Sequence, residues 1–259
     1  MGHQLLPHLP RTKEWRHVVT LLSGGALMED IAAASARAAD RSMIDAADDA
    51  TVRQTFYLLT QIPLAAASRS FAGALRGLGL VVSDHPSLVE IGAAMMDAID
   101  RFTSKKGPRS DYGEIAQVCA VESLHAVVGR DVSDLFGMDR DRVKTVTAGF
   151  ANAKQFAVLA REFFARLTQS HLNFYLHREL SNHVGASRRF SSVADHRKFE
   201  AALDQHCREA SGIIKNFAAE WFSKQNFEGG IDRDKAGRFV HVAAGKIRDE
   251  LRRRESGHA

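Results

Sequence analysis

The feature that most restricts this chain is an apolar stripe within residues 152–183. Phe156, Ala160, Phe163, Leu167, His171, Phe174 and Arg178 recur there at steps of three and four. That period puts all seven on one side of an α-helix, whereas a strand would scatter them over two faces. A helix of this span is roughly 45 Å long, and its stripe demands that other helices cover it. The chain must therefore wrap around this segment.

The remaining 3.6-residue patterns supply the cover, and no alternating Val, Thr or Tyr run argues for a strand. Thr12 can cap a helix that buries Trp15, Val18, Val19 and Leu22 and stops at Gly24 and Gly25. A single Ala-rich helix is expected to follow, to Ala47. Asp49 can cap the next, with Val52, Phe56 and Leu59 inward, and Pro63 suits the first turn of another that reaches Gly77. Residues 78–82 read as a buried connector.

Ser87 and Glu90 have capping-box spacing, so a helix should run from there to Phe102. Residues 103–110 read as a loop, and Asp111 and Glu114 open a helix that ends at Gly129. A short helical turn around 132–136 and a brief helix lead into the long one. Beyond a polar loop at 186–195, one further long helix carries Phe199, Leu203, His206, Ala210, Ile213, Phe217 and Trp221 on one face. Gly229 and Gly230 break it. Asp232 can cap a last helix that packs through Val240, Ala243, Ile247 and Leu251. The expected fold is all-α, an irregular bundle of about 8–10 helices with two long core helices in the C-terminal half. We read residues 1–259 as a single domain, with a possible lobe boundary near 103–111.

Composition narrows the function classes. The 45% hydrophobic and 25% charged content of these 259 residues suits a folded globule. No apolar run approaches the length of a membrane span, so no membrane partner is expected. The N-terminal MGHQLLPHLPRTKEW lacks the basic start, apolar run and cleavage site of a secretory signal, which points to the cytoplasm. Cys119 and Cys207 read as reduced, buried thiols rather than a disulfide framework. The formal charge of +4 is spread along the chain without a basic tail.

Motifs that carry chemistry are sparse. Glu122 and His125 have the Glu-x-x-His spacing of helical di-metal proteins, but the second pair and the two extra carboxylates are missing. His206 beside Cys207 lacks the other ligands of a zinc site. No metal and no cofactor are expected. Trp221, Phe222 and Phe227 are candidate docking residues, since aromatic side chains near a helix break either cover the core or present a patch.

Arg178 and His183, in HRELSNHVG, stand near the end of the longest predicted helix. An Arg-x4-His pair in that position of a basic all-helical protein resembles the HEPN family of RNases. The resemblance covers six residues. It implies RNA cleavage, commonly across a dimer, with His183 in acid/base duty and Arg178 on a phosphate. Three functional expectations follow. The first is a non-catalytic helical accessory subunit that docks a protein partner or its own copy, because long amphipathic helices are present and a complete catalytic set is not. The others are the HEPN-like RNase and a nucleic-acid-binding helical protein that uses scattered Lys and Arg.

Overall fold

A computed structural model of the chain describes residues 12–134, 137–138, 140–180 and 192–256. The described residues form an all-α bundle. In chain order the helices are α1 (Lys13–Gly24), α2 (Met28–Ala38), α3 (Asp40–Asp48), α4 (Ala50–Ala66), α5 (Phe71–Gly77), α6 (Leu88–Lys106) and α7 (Asp111–Val132). They continue as α8 (Arg140–Gly149), α9 (Ala153–Leu180), α10 (Val193–Ala210), α11 (Ile213–Phe227) and α12 (Arg233–Ser256). Between α7 and α8, β1 (Ser133–Asp134) pairs antiparallel with β2 (Gly137–Met138), where a helical turn was expected. Among the described residues no helix is long and apolar enough to cross a membrane.

Caps set the boundaries that side-chain chemistry can set. Thr12 Oγ1 accepts from the Trp15 amide at 3.2 Å, and Asp49 Oδ1 accepts from Thr51 and Val52 at 2.8 and 3.0 Å. Ser87 Oγ accepts from the Glu90 amide, and Asp232 Oδ1 from the Lys235 amide. The capping box is half formed, because the Glu90 carboxylate reaches back to the Ser83 amide and hydroxyl instead.

Five boundaries differ from the sequence expectation, among them the end of α7, which runs through Gly129 to Val132. The Ala-rich segment splits at Ala39, because α2 packs on α1, α10 and α12 while α3 turns toward α12 and α4. Pro63 lies in the last turn of α4, where its missing N–H removes one bond, and Ser70 caps α5 through the Gly73 amide. Helix α6 continues to Lys106, since the Thr103 hydroxyl bonds to Ile99 O and meets Thr51 Oγ1 at 3.0 Å. The second long helix is broken at Ser211 and Gly212, so twelve helices are described in place of 8–10. Gly212 is a poor helix former, and Ser211 is fully buried where only a small side chain fits.

Helix α9 lies at the centre, packed on α7, α10 and α11, as its stripe requires. Phe156, Ala160, Phe163 and His171 are buried, while Leu167 and Phe174 are half-buried against the same cluster. The Phe56 ring of α4 touches Phe156, Phe163, Phe164, Trp221 and Phe239, and it stacks on Phe239 at 5.2 Å. The break before α11 also rotates its inward face. Ile214, Ala218 and Phe222 are buried, and Ile213, Phe217 and Trp221 move to the half-buried edge. Buried apolar residues from Trp15 to Leu251 form one cluster, closed by Val240, Ala243, Ile247 and Leu251 of α12.

Candidate functional site

The turn between α11 and α12 positions the surface of greatest interest. Gly229 and Gly230 have φ of 94° and 96°, a left-handed conformation that side chains resist, so two glycines in a row make the reversal. The Gly230 amide donates to Gln225 O at 2.9 Å, Lys235 Nζ donates to Gly230 O at 2.8 Å, and Gln61 of α4 donates to Ile231 O at 3.1 Å. These bonds pin the hairpin to the body of the bundle.

Two clefts flank the first turns of α12. One, of about 290 Å³, lies between α11 and α12 and is lined by Phe217, Trp221, Gln225, Lys235, Arg238, Phe239 and Val242. The other, of about 420 Å³, lies between α12 and α4 and is lined by Arg53, Arg233, Asp234, Gly237, Arg238, His241 and Val242. Arg238 and Val242, one helical turn apart, border both and form the ridge between them. Gly237 lets the Arg53 side chain lie close against α12, since a Cβ there would be 3.1 Å from Arg53 Cδ.

The ridge is polar and apolar at once. Val242 is 47% exposed, and Arg238 is exposed with no hydrogen bond or ion pair among the described residues. The neighbouring cations are partly engaged. Arg53 pairs with Asp48, His241 Nδ1 lies 3.3 Å from Asp48, and Arg233 donates to Gln54 and sits 4.9 Å over the Tyr57 ring. Lys246 sits 5.4 Å over Phe217. The lining therefore holds Arg53, Arg233, Lys235, Arg238 and His241 against Asp234, beside half-buried aromatic rings.

The residues expected from sequence fall in different places. Trp221 lies in the aromatic cleft, its ring 4.3 Å from Phe239. Phe222 is 1% exposed and stacks on Phe156 at 4.0 Å, so it serves the core. Phe227, at the end of α11, is 92% exposed. Arg178 belongs to the backbone of α9, but its side chain and all of His183 lie outside the described residues. Glu122 and His125 diverge, the carboxylate to Arg166 at 3.1 Å and the imidazole to Leu88 O at 3.2 Å. Among the described residues no cluster of three or more potential metal ligands occurs.

Two polar assemblies, one buried and one half-buried, hold other titratable groups. His171 Nε2 lies 2.8 Å from Ser42 Oγ and the ring stacks on Tyr112, which ties α3 and α7 to α9. Burial pushes the imidazole down to about 4 and raises the Tyr112 and Tyr175 phenols. A cavity of only about 30 Å³ adjoins His171, bounded mostly by apolar side chains such as Met43, Phe164 and Ile247. In the second assembly Glu162 bridges Arg166 and Arg208, at 2.9 and 2.8 Å, and Arg208 also holds Asp204. Burial opposes the Glu162 charge, but the two guanidiniums outweigh it and hold the carboxyl below its usual range. Both assemblies join helices; the Ser42–His171 pair does set a hydroxyl against an imidazole, but both residues are buried and the cavity beside them is far smaller than a substrate site.

No family model, no curated protein and no solved structure matches this chain.

Proposed function

We propose that this protein is a non-catalytic helical interaction subunit that docks a partner protein on the face formed by α11 and the first half of α12. The observation that supports this reading is the Arg238–Val242 ridge. It carries a guanidinium with no carboxylate partner among the described residues and an exposed apolar side chain between two clefts, beside a turn whose carbonyls accept from the Gln61 and Lys235 side chains. Interfaces concentrate their binding energy in aromatic and Arg side chains on preorganised surfaces, and Trp221, Phe217 and Arg238 meet that description. Recognition of nucleic acid is a second reading, favoured by the gathering of Arg53, Arg233 and Arg238 on one face.

The test uses the full chain and the double variant Arg238→Glu/Val242→Asp. Partners retained from native-host lysate are identified by mass spectrometry, purified and titrated, and their footprint is mapped by hydrogen exchange. The expected result is one partner that binds the wild type, protects 213–246, and is lost by an equally folded double variant. Equal binding by both chains, or a footprint on another face, overturns the proposal. If the same substitutions dissolve a homodimer, the docked partner is a second copy.

A further inference from the structure

Resting on that docking reading, we infer that the face recognises an acidic peptide segment with one bulky apolar anchor, the anchor seated between α11 and α12 and its flanking carboxylates held by Arg238 and Arg233. The anchor requirement comes from the aromatic cleft. Its volume of about 290 Å³ is at the lower end of small-molecule sites and admits one large side chain with space left for the backbone that carries it. The floor of Phe239, with Phe217 and Trp221 as walls, offers rings already fixed by the core. Phe239 is 3% exposed, and Trp221 also touches Phe56 and Phe156. Such a pocket orders little on binding, so the apolar anchor loses less to entropy than on a mobile surface.

The acidic requirement comes from the second cleft. A chain that crosses the ridge leaves an apolar environment and meets Arg238, then Arg233 and His241, within about two turns of α12. Arg238 has no protein carboxylate to satisfy it among the described residues, and a planar guanidinium binds a carboxylate through two parallel bonds. Lys235 borders the anchor cleft itself, so a carboxylate on either side of the anchor finds a cation.

Charge distribution favours a short acidic segment over a nucleic-acid backbone. A polyanion gains affinity by contacting a succession of phosphates along a continuous cationic track. Here the cationic patch ends abruptly. Asp234 stands within it, and Asp48, which holds Arg53 and His241, also lines an adjoining cleft of about 490 Å³ with Asp45 and Asp49. A phosphate chain continued in that direction meets carboxylates, whereas a peptide ends or turns.

The experiment measures fluorescence anisotropy of three labelled probes against the full-length protein. The first is a helix-forming peptide of about 18 residues with one Leu anchor among Glu residues, the second its Lys-for-Glu counterpart, and the third a single-stranded oligothymidylate. The acidic peptide is expected to bind most tightly. Affinity should fall at least ~10-fold with Arg238→Glu and with the anchor replaced by Ala, and it should fall in high salt. Arg238→Ala and Val242→Ala, both at exposed positions, provide variants whose folding is checked by thermal melting. Equal or tighter binding of the Lys peptide or the oligonucleotide, or affinity indifferent to Arg238, overturns the inference. If native-partner binding is lost in the double variant yet none of the probes binds, the docking face stands and the acidic-anchor chemistry falls. If native-partner binding also survives the double variant, the docking reading falls with it.

Discussion

Acidification should destabilise this protein through one residue, His171. Its imidazole is completely enclosed, with Ser42 as hydrogen-bond partner and Tyr112 and Tyr175 alongside. An exposed histidine takes up its proton near pH 6.5, whereas here burial delays uptake to about 4. As pH falls through that window the unfolded chain binds a proton that the folded chain refuses, so stability is complete above the window and declines within it. The loss is about 2 kcal/mol at pH 5 and approaches about 3 kcal/mol below pH 4. That is a large fraction of the ~5–15 kcal/mol net stability of an ordinary domain. The two tyrosines do not titrate in this range, because burial raises both phenols. Urea denaturation of the wild type and His171→Asn at about pH 7.5 and about pH 5 isolates the effect, since carboxylate contributions cancel in the difference. Asn stays neutral and can still bond to Ser42. The wild type should lose about 2 kcal/mol more than the variant across that interval; parallel losses in the two proteins would refute the reasoning.

Three further outcomes are expected. Phe56→Ala should cost ~3–5 kcal/mol in urea titrations, because one ring contacts five aromatic neighbours; a loss under about 1 kcal/mol would show that those rings close the gap. Gly113→Ala should cost ~1–3 kcal/mol by thermal denaturation, since the new Cβ would lie 2.7 Å from Thr51 Cβ where α7 starts against α4, and an unchanged melting temperature would disprove the tight approach. Cys119 and Cys207 should resist a thiol-specific chromogenic reagent until urea unfolds the chain, because both are buried and burial raises both thiols, that of Cys119 to about 11. Prompt reaction of either at neutral pH would contradict that enclosure.

Local chemistry was legible in the sequence and long-range geometry was not. Thr12, Asp49, Ser87 and Asp232 cap the helices assigned to them, because a cap is a bond between a side chain and an amide two or three residues on. The breaks at Ala39 and Ser211 escaped the periodicity, which continues through both. What ends those helices is the direction of the neighbours they pack on. Pro63 misled for the opposite reason: propensity places a proline in a first turn, whereas here it sits in the last turn of α4 at the cost of one backbone bond. Of the candidate docking residues, Trp221 reaches the cleft and Phe222 turns inward, a difference of one residue set by the Ser211–Gly212 break. Arg238 and Val242 carry no motif. Their importance arises from α12 lying between α4 and α11, which only the folded chain brings about.

The position of α12 has a consequence for synthesis on the ribosome. This helix packs on α2, α3 and α4, and Arg252 pairs with Asp40 across 212 positions of sequence. At ~5–20 residues per second, the early helices emerge on the order of ten seconds before the element that covers their apolar faces. During that interval the faces of α2, α3 and α4 that α12 covers lack their packing partner. The Arg238–Val242 ridge is carried by the same helix, so the proposed docking face comes into being only as the bundle is sealed. A partner that read such a face would meet it on folded bundles and not on chains whose α12 has yet to pack.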